Sequence, residues 1–491
     1  MSRSSVQSSD RNVQAVRQYE VVDSHVSYSS LKGKAYHLIG IGGVGMSALA
    51  QVLMANGATV SGSDQSEGAA AQALASQGAL VFVGHEPDNL PDRLDTVVYS
   101  AAVKADNCEF LAAQAKGCAV VKYAQMLGEL MDRYQGVAIC GTHGKSTTSA
   151  WLSYMLRQAG EDVNFLVGAQ LPQLQASSGV GTSPYFVAEA CEYDRSFLNI
   201  RPKIVCLLNI EADHLDYYKD EAEIVHAFDD FAVGIVQGGT LVANGQDENV
   251  RHVLAHCRSD VHCVTYGLDS GNDVYADNLT LDKGVYYFDV MRQGERLGRT
   301  HAFLSGLHNV MNALAVITTA LSMDIQAQDI LTHLPSFEGI DRRMMIKGCV
   351  KDVTVLDDYA HHPTEIRATL SAIQERFEPR RLWCVFQPHQ YSRTRFLLDD
   401  FAESFKLAHV TIVPEIYFVR DSEETKQAVN AQVLVERLVG QGSKAVFIQG
   451  FTDICEYLVA RVEPGDVVVT MGAGDIWKVA NEYIQRFGRD C

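Results

Sequence analysis

The chain has 491 residues, of which 47% are hydrophobic and 21% charged. This ordinary globular composition excludes a disordered or collagen-like protein, and at roughly 150 residues per domain it suggests about three domains rather than one core. A formal charge of −19 repels phosphate backbones and anionic headgroups, which makes nucleic acid and membrane surfaces poor partners, and any anionic ligand must be met by local cations. Residues 1–30, rich in Ser and Gln, lack the apolar core of a signal peptide and read as a flexible tail. Eleven cysteines without a C-x-x-C pair fit reduced thiols, and no stretch approaches the roughly 18 apolar residues of a membrane span. The expectation is a cytoplasmic protein.

The first organised unit begins with an apolar run from Lys34 to Ile39, a turn containing Gly40, Gly42, Gly43 and Gly45, and a helical stretch from Met46 to Asn56. A second run, from Ala58 to Gly62, ends at Ser63 and Asp64. Strand, glycine turn, helix and a carboxylate about twenty residues on form a dinucleotide-type fingerprint, in which glycine lets the backbone approach a pyrophosphate. Further runs, Ala79 to Val83 before His85 and Thr96 to Tyr99 before Ser100, extend a parallel sheet toward the same crevice.

A strand from Gly136 to Cys140 leads into Gly141, Thr142, His143, Gly144, Lys145, Ser146, Thr147 and Thr148, then a helix to about Ala159. Position 139 is Ile, so the strict Walker pattern fails. What remains supplies backbone N–H groups, a lysine point charge and a hydroxyl for magnesium, and points to a nucleoside triphosphate site. Glu189, at the end of one apolar run, and Asn209, Glu211, Asp213 and His214, at the end of another, could face those phosphates or merely cap turns. The segment from His252 to Cys263 carries three His and two Cys, but no second ligand pair follows along the chain, so it reads as an ordinary helix and strand. His308, Asn309 and Asn312 open an apolar helix after Gly306 and are either caps or base-edge contacts.

After Pro335 come Arg342 and Arg343 beside Gly339, then a run from Val353 ending in Asp357, Asp358, Tyr359, His361 and His362. A helix is expected from Thr364. Another run, Leu382 to Phe386, ends in Gln387, His389 and Arg393, and a last one, Asp466 to Thr470, ends in Gly472, Gly474 and Asp475. In an open parallel sheet such polar ends converge on one edge. The fork of Arg343 or Arg393 suits a carboxylate or phosphate.

Taken in this order, these motifs resemble the Mur ligase family, most closely its alanine-adding branch, from Leu31 to the C-terminus. The resemblance implies an α/β protein of three domains: a UDP-sugar-binding Rossmann-like domain (31–135), a central P-loop ATPase-like domain (136–334) and a C-terminal Rossmann-like domain that brings the amino acid (335–491). It implies ATP and Mg2+ as cofactors, UDP-N-acetylmuramate and L-alanine as substrates, and a monomer or homodimer. By the same resemblance, residues 141–147 with His308, Asn309 and Asn312 hold ATP, with Lys145 catalytic. Gly40, Gly42, Gly43, Gly45, Ser63, Asp64, His85 and Ser100 hold the UDP-sugar. Tyr359, His361 and Arg393 form the alanine site, His361 being also the candidate general base, and Ser146, Glu189 and His214 bind the metal. Two features depart from some relatives: Gln390 stands where they place a second arginine, and 220–242 contains no lysine. The alternatives are a tripeptide-adding ligase of peptidoglycan recycling, a nicotinamide-dependent oxidoreductase, which leaves the Gly141 to Thr148 loop unexplained, and a non-catalytic nucleotide-binding regulator.

Overall fold

The computed structural model describes residues 31–487 except 420 and 422; the expected tail, 1–30, lies outside them. Three sheets follow one another along the chain. The first has five strands in the order Leu80–Val83, Thr59–Asp64, Ala35–Ile39, Thr96–Tyr99, Ala119–Lys122, all parallel. Strand order reverses beside Ala35–Ile39, which opens a crevice beyond the strand ends where Gly40–Gly45 and Ser100 lie. The following helix spans Val44–Ala55 and starts earlier than the apolar pattern suggests, because extended Gly43 is its N-cap.

The second sheet has ten strands. Its parallel centre runs through Tyr185–Glu189, Gln135–Cys140, Ile204–Leu207, Thr240–Asn244 and His262–Gly267. The helices Lys145–Gln158 and Leu307–Ser322 pack on one another. Three strands that the apolar pattern does not reveal, Val274–Asp282, Val285–Arg292 and Glu295–Ala302, extend one edge as antiparallel hairpins. Each hairpin closes in two residues, Lys283 with Gly284 and Gln293 with Gly294, all at positive φ, the turn geometry that matches strand twist.

The third sheet runs Met345–Val350, Val353–Asp358, Val467–Met471, Leu382–Phe386, Val410–Val413, Ala445–Phe447. Only the first strand is antiparallel. Val467–Met471 and Leu382–Phe386 are buried throughout, as strands covered on both faces must be. Because Met345–Val350 enters against its neighbours, Arg342 and Arg343 sit at the same edge as Asp357 through His362, although they precede a strand rather than follow one.

Trp151 anchors the helix after the glycine turn to the chain leading into the third sheet. Its indole is fully buried, donates to the Leu334 carbonyl at 2.9 Å and stacks on Phe337 with centroids 5.3 Å apart. Trp151→Ala is expected to cost about 3–5 kcal/mol, read as an earlier denaturation midpoint in urea; an unchanged midpoint would contradict this anchoring role.

Candidate active site

Gly141 and Gly144 take φ of +132° and +86°, a region that L-residues rarely occupy. A Cβ at Gly144 would also come within 2.7 Å of Asn312 Oδ1, and one at Gly141 within 2.9 Å of the Asn209 carbonyl. Asn209 braces the turn through its side chain: Oδ1 accepts from His143 N at 2.8 Å and Nδ2 donates to His143 O at 3.1 Å. The turn delivers Lys145 to the first position of the helix Lys145–Gln158.

Lys145 folds back over the turn. Its ammonium donates to the carbonyls of Gly141 and Thr142 and to Glu192 at 2.9 Å. Burial disfavours the charged ammonium, but the nearby carboxylates, Glu192 foremost, outweigh burial and raise its pKa. Glu192 is 2% exposed; burial opposes its charge, yet Lys145 and His214 hold it below the usual carboxylate value. His214 Nε2 lies 3.6 Å from Glu192. Beside this pair, Ser146 Oγ donates to Glu189 Oε2 at 3.0 Å, and Gly168 N donates to the other oxygen. Burial pushes the Glu189 carboxyl up.

A cavity of about 520 Å³ runs from this turn to the third sheet. Its walls include His143, Gly144, Thr147, His308, Asn309 and Asn312, so six of the residues assigned to ATP converge. Asn312 donates to Asn309 at 3.1 Å, and Asn309 donates to the Ser305 carbonyl at 2.8 Å, which fixes both amides. Burial takes His308 down to about 4.

The third sheet closes over the turn through ionic contacts. His143 lies 3.4 Å from Glu211 and 3.5 Å from Glu365. Thr364 donates to Glu211 at 2.7 Å, and His362 Nε2 donates to the Ala212 carbonyl at 3.2 Å. Glu365 also meets Arg343 at 3.3 Å and His361 at 3.2 Å. Burial lowers His361 to about 4, so it is neutral near pH 7. Tyr359 lies under Arg342 and Arg343, with its ring 5.3 Å from that of His361. Arg393, 7% exposed, places Nε and an Nη on Asp213 Oδ1 at 3.1 and 2.7 Å; the fork assigned to the alanine carboxylate is therefore occupied by a carboxylate of the chain itself.

At the first sheet, a smaller cavity of about 210 Å³ is lined by Gly43, Gly45 and Ser100 together with Lys122, Tyr123 and Asp194. Gly42 N donates to Asp64 at 3.0 Å, so the fingerprint carboxylate braces the glycine turn. Gly40 N donates to the Ser63 carbonyl, and Ser63 Oγ is 2.8 Å from His85 Nδ1. Fully buried Glu109 ties these together, contacting Ser63, His37 and Asn89. Burial pushes its carboxyl up, but those hydrogen bonds prevail and bring it to about 2. Ser63, Asp64 and His85 share the sheet edge but do not line the smaller cavity.

Three groups, Glu192, Glu365 and Glu109, escaped the sequence reading, and the pairing of a fourth, Asp213, with Arg393 did too. Glu192 lies one turn of chain past Glu189, Glu365 lies one helical turn past His361, and both spacings were visible. Asp213 was visible only as part of a motif, and Glu109 carries no sequence signal at all.

Comparison with known proteins fits this geometry. The Mur ligase family catalytic domain matches residues 35–135, the Mur ligase middle domain 139–320, and the Mur ligase glutamate ligase domain 342–474. A UDP-N-acetylmuramate–L-alanine ligase of Alkaliphilus metalliredigens is 43% identical, covering 91% of this chain and 96% of that one. One of Clostridium botulinum (strain Loch Maree / Type A3) is 42% identical, covering 92% and 98%. Among solved structures, the UDP-N-acetylmuramate-alanine ligase of Thermotoga maritima superposes with a TM-score of 0.78 at 27% identity, covering 93% and 100%. A murein peptide ligase of Psychrobacter arcticus gives 0.70 at 26%, covering 93% and 99%. The chain belongs to the Mur ligase family.

His143 makes the closure sensitive to pH. Burial works against its charge, but Glu211 and Glu365 raise it from 6.5 to about 9. A raised histidine stabilises the folded state fully below pH 6.5 and loses that contribution as pH climbs through about 9. Relative to His143→Asn, the wild type is expected to lose melting temperature between pH 6.5 and 9; parallel profiles would remove His143 from the closure.

Proposed function

We propose that this protein joins L-alanine to the carboxylate of UDP-N-acetylmuramate at the expense of ATP, a step of peptidoglycan precursor synthesis. The observation that carries this reading is the glycine turn, which opens into the 520 Å³ cavity through His143, Gly144 and Thr147 and delivers Lys145 beside Glu192, in a chain more than 40% identical to ligases of that name over nine-tenths of its length. The tripeptide-adding alternative has the weaker structural likeness, with TM-scores of 0.70 and 0.58 to two murein peptide ligases. The oxidoreductase alternative gives this cavity no role, and a non-catalytic regulator gives none to the polar edge of the third sheet.

A carboxylate has no usable leaving group. The γ-phosphoryl group is therefore transferred to it, giving ADP and an acyl phosphate. The amine of alanine attacks the acyl carbon, and the tetrahedral intermediate collapses, forming the amide and expelling phosphate. In this scheme Lys145 leaves Glu192 for the transferring phosphoryl group, where its charge counts most in a water-poor site. Residues 141–147 cradle the phosphates, and His308, Asn309 and Asn312 form the base side. Neutral His361, the candidate general base, takes the proton that the amine gives up as it attacks, beside Tyr359. Arg393 orients the amino-acid carboxylate once Asp213 yields it. The UDP-sugar is assigned to Gly40, Gly42, Gly43, Gly45, Ser63, Asp64, His85 and Ser100.

Ser146, Glu189 and His214 fit a magnesium site: two offer hard oxygens in direct contact, and His214 Nδ1 is buried without a hydrogen-bond partner. When bound there, the ion supplies charge neutralisation on the phosphates. We place domain boundaries near residues 135 and 335, between successive sheets. We also propose a cytoplasmic location: the cysteines of the described residues are free thiols, and no described helix is long and apolar enough to cross a membrane.

The test is phosphate release from Mg-ATP with UDP-N-acetylmuramate and L-alanine, L-serine, glycine or tripeptide. Release with L-alanine is expected; release with tripeptide alone would replace this reading. Lys145→Ala is expected to abolish turnover with unchanged circular dichroism, and a near-normal rate would take the lysine out of the mechanism.

A further inference from the structure

Away from the candidate active site, the helices Glu221–Val233 and Glu248–His256 pack side by side and bring together three groups with no part in the reaction above. His252 and His256, four residues apart, lie on one helical face. Their ring centroids are 4.2 Å apart, and His252 Nε2 lies 3.4 Å from Asp229 Oδ2 on the neighbouring helix. One ligand atom from each of the three residues falls within 4.8 Å of the others.

We propose that Asp229, His252 and His256 form a binding site for a borderline divalent cation, with Zn2+ as its representative. Three observations support it. His256 Nδ1 is 2.9 Å from the His252 carbonyl; since a carbonyl only accepts, Nδ1 carries the proton and Nε2 keeps its lone pair for a metal, the arrangement that fixes metal-binding imidazoles. Asp229 Oδ1 is buried without a hydrogen-bond partner, an acceptor that a cation would satisfy. His252 is half exposed, which leaves a path from solvent and room for water ligands.

Two imidazole nitrogens with one carboxylate suit Zn2+, Co2+, Ni2+ or Cu2+, whereas Mg2+ and Ca2+ prefer shells of oxygen. With two imidazoles to one carboxylate, the site differs in chemistry from Ser146, Glu189 and His214, where two of the three donors are oxygens. Along the sequence no second ligand pair follows His252 and His256, because the third ligand comes from the preceding helix. A bound ion would add a second tie between two helices already joined by the hydrogen bond from Asn249 to Glu221. The N-cap of the second, Asp247, borders the large cavity.

Cys257, at the end of the second helix, and Cys263 are free thiols and the competing soft donors nearby, so the test separates them. Full-length protein in excess Mg2+ is titrated with Zn2+ by calorimetry, alongside His252→Ala/His256→Ala and Cys257→Ser/Cys263→Ser. The wild type and the cysteine variant are expected to bind an equivalent of Zn2+ that the histidine variant loses. Asp229→Asn should weaken binding about tenfold or more. The rate of phosphate release in Mg2+ alone should be unchanged in the histidine variant, which also shows that it folds. Equal binding by wild type and histidine variant, loss that follows the cysteines, or no Zn2+ bound by wild type at micromolar concentrations would each overturn the site.

Discussion

Everything at the centre of this protein depends on a turn that only glycine can make. With Gly141 and Gly144 at positive φ and no room for a Cβ at either, the chain leaves a buried strand and enters a buried helix within four residues. Lys145 is thereby brought back over its own turn. Asn209, from the adjacent strand end, holds the turn by both atoms of its amide. The same turn presents His143 to the third sheet. One backbone constraint thus sets both the position of Lys145 and the surface on which the third sheet closes.

A second regularity concerns charge. A chain carrying −19 has its cations at the site already matched by carboxylates: Lys145 with Glu192, His143 with Glu211 and Glu365, Arg343 with Glu365, Arg393 with Asp213. Buried charges left alone are costly, and such pairing offsets that cost. Under the proposed function, ligand binding at this site is an exchange of partners, in which phosphate or carboxylate oxygens of a substrate replace those of the protein. Net charge describes the solvated surface, and the cations at the site are local exceptions to it.

How much of this was legible in the sequence follows from how local each feature is. The glycine turns at 40–45 and 141–144, with strand before and helix after, were readable because strand, turn and helix are consecutive. The polar strand ends of the third sheet were readable because buried parallel strands are apolar until they stop. The hairpins at 274–302 were missed by apolar pattern alone, although Lys283 with Gly284 and Gln293 with Gly294 are two-residue turn signals. Pairings across the fold left no trace: Glu109 reaching Ser63, Asp213 capturing Arg393, and Asp229 joining His252. Each partner is an ordinary acid on its own segment, and only packing gives it a role.

The most direct test is a crystal structure of the chain with a non-hydrolysable ATP analogue. The triphosphate is expected on the turn from Gly141 to Lys145, with Lys145 Nζ moved from Glu192 to a phosphate oxygen and the base beside Asn309. A nucleotide seated on the Gly40 to Gly45 turn instead, with Lys145 still paired to Glu192, would contradict the partner exchange on which the mechanism rests.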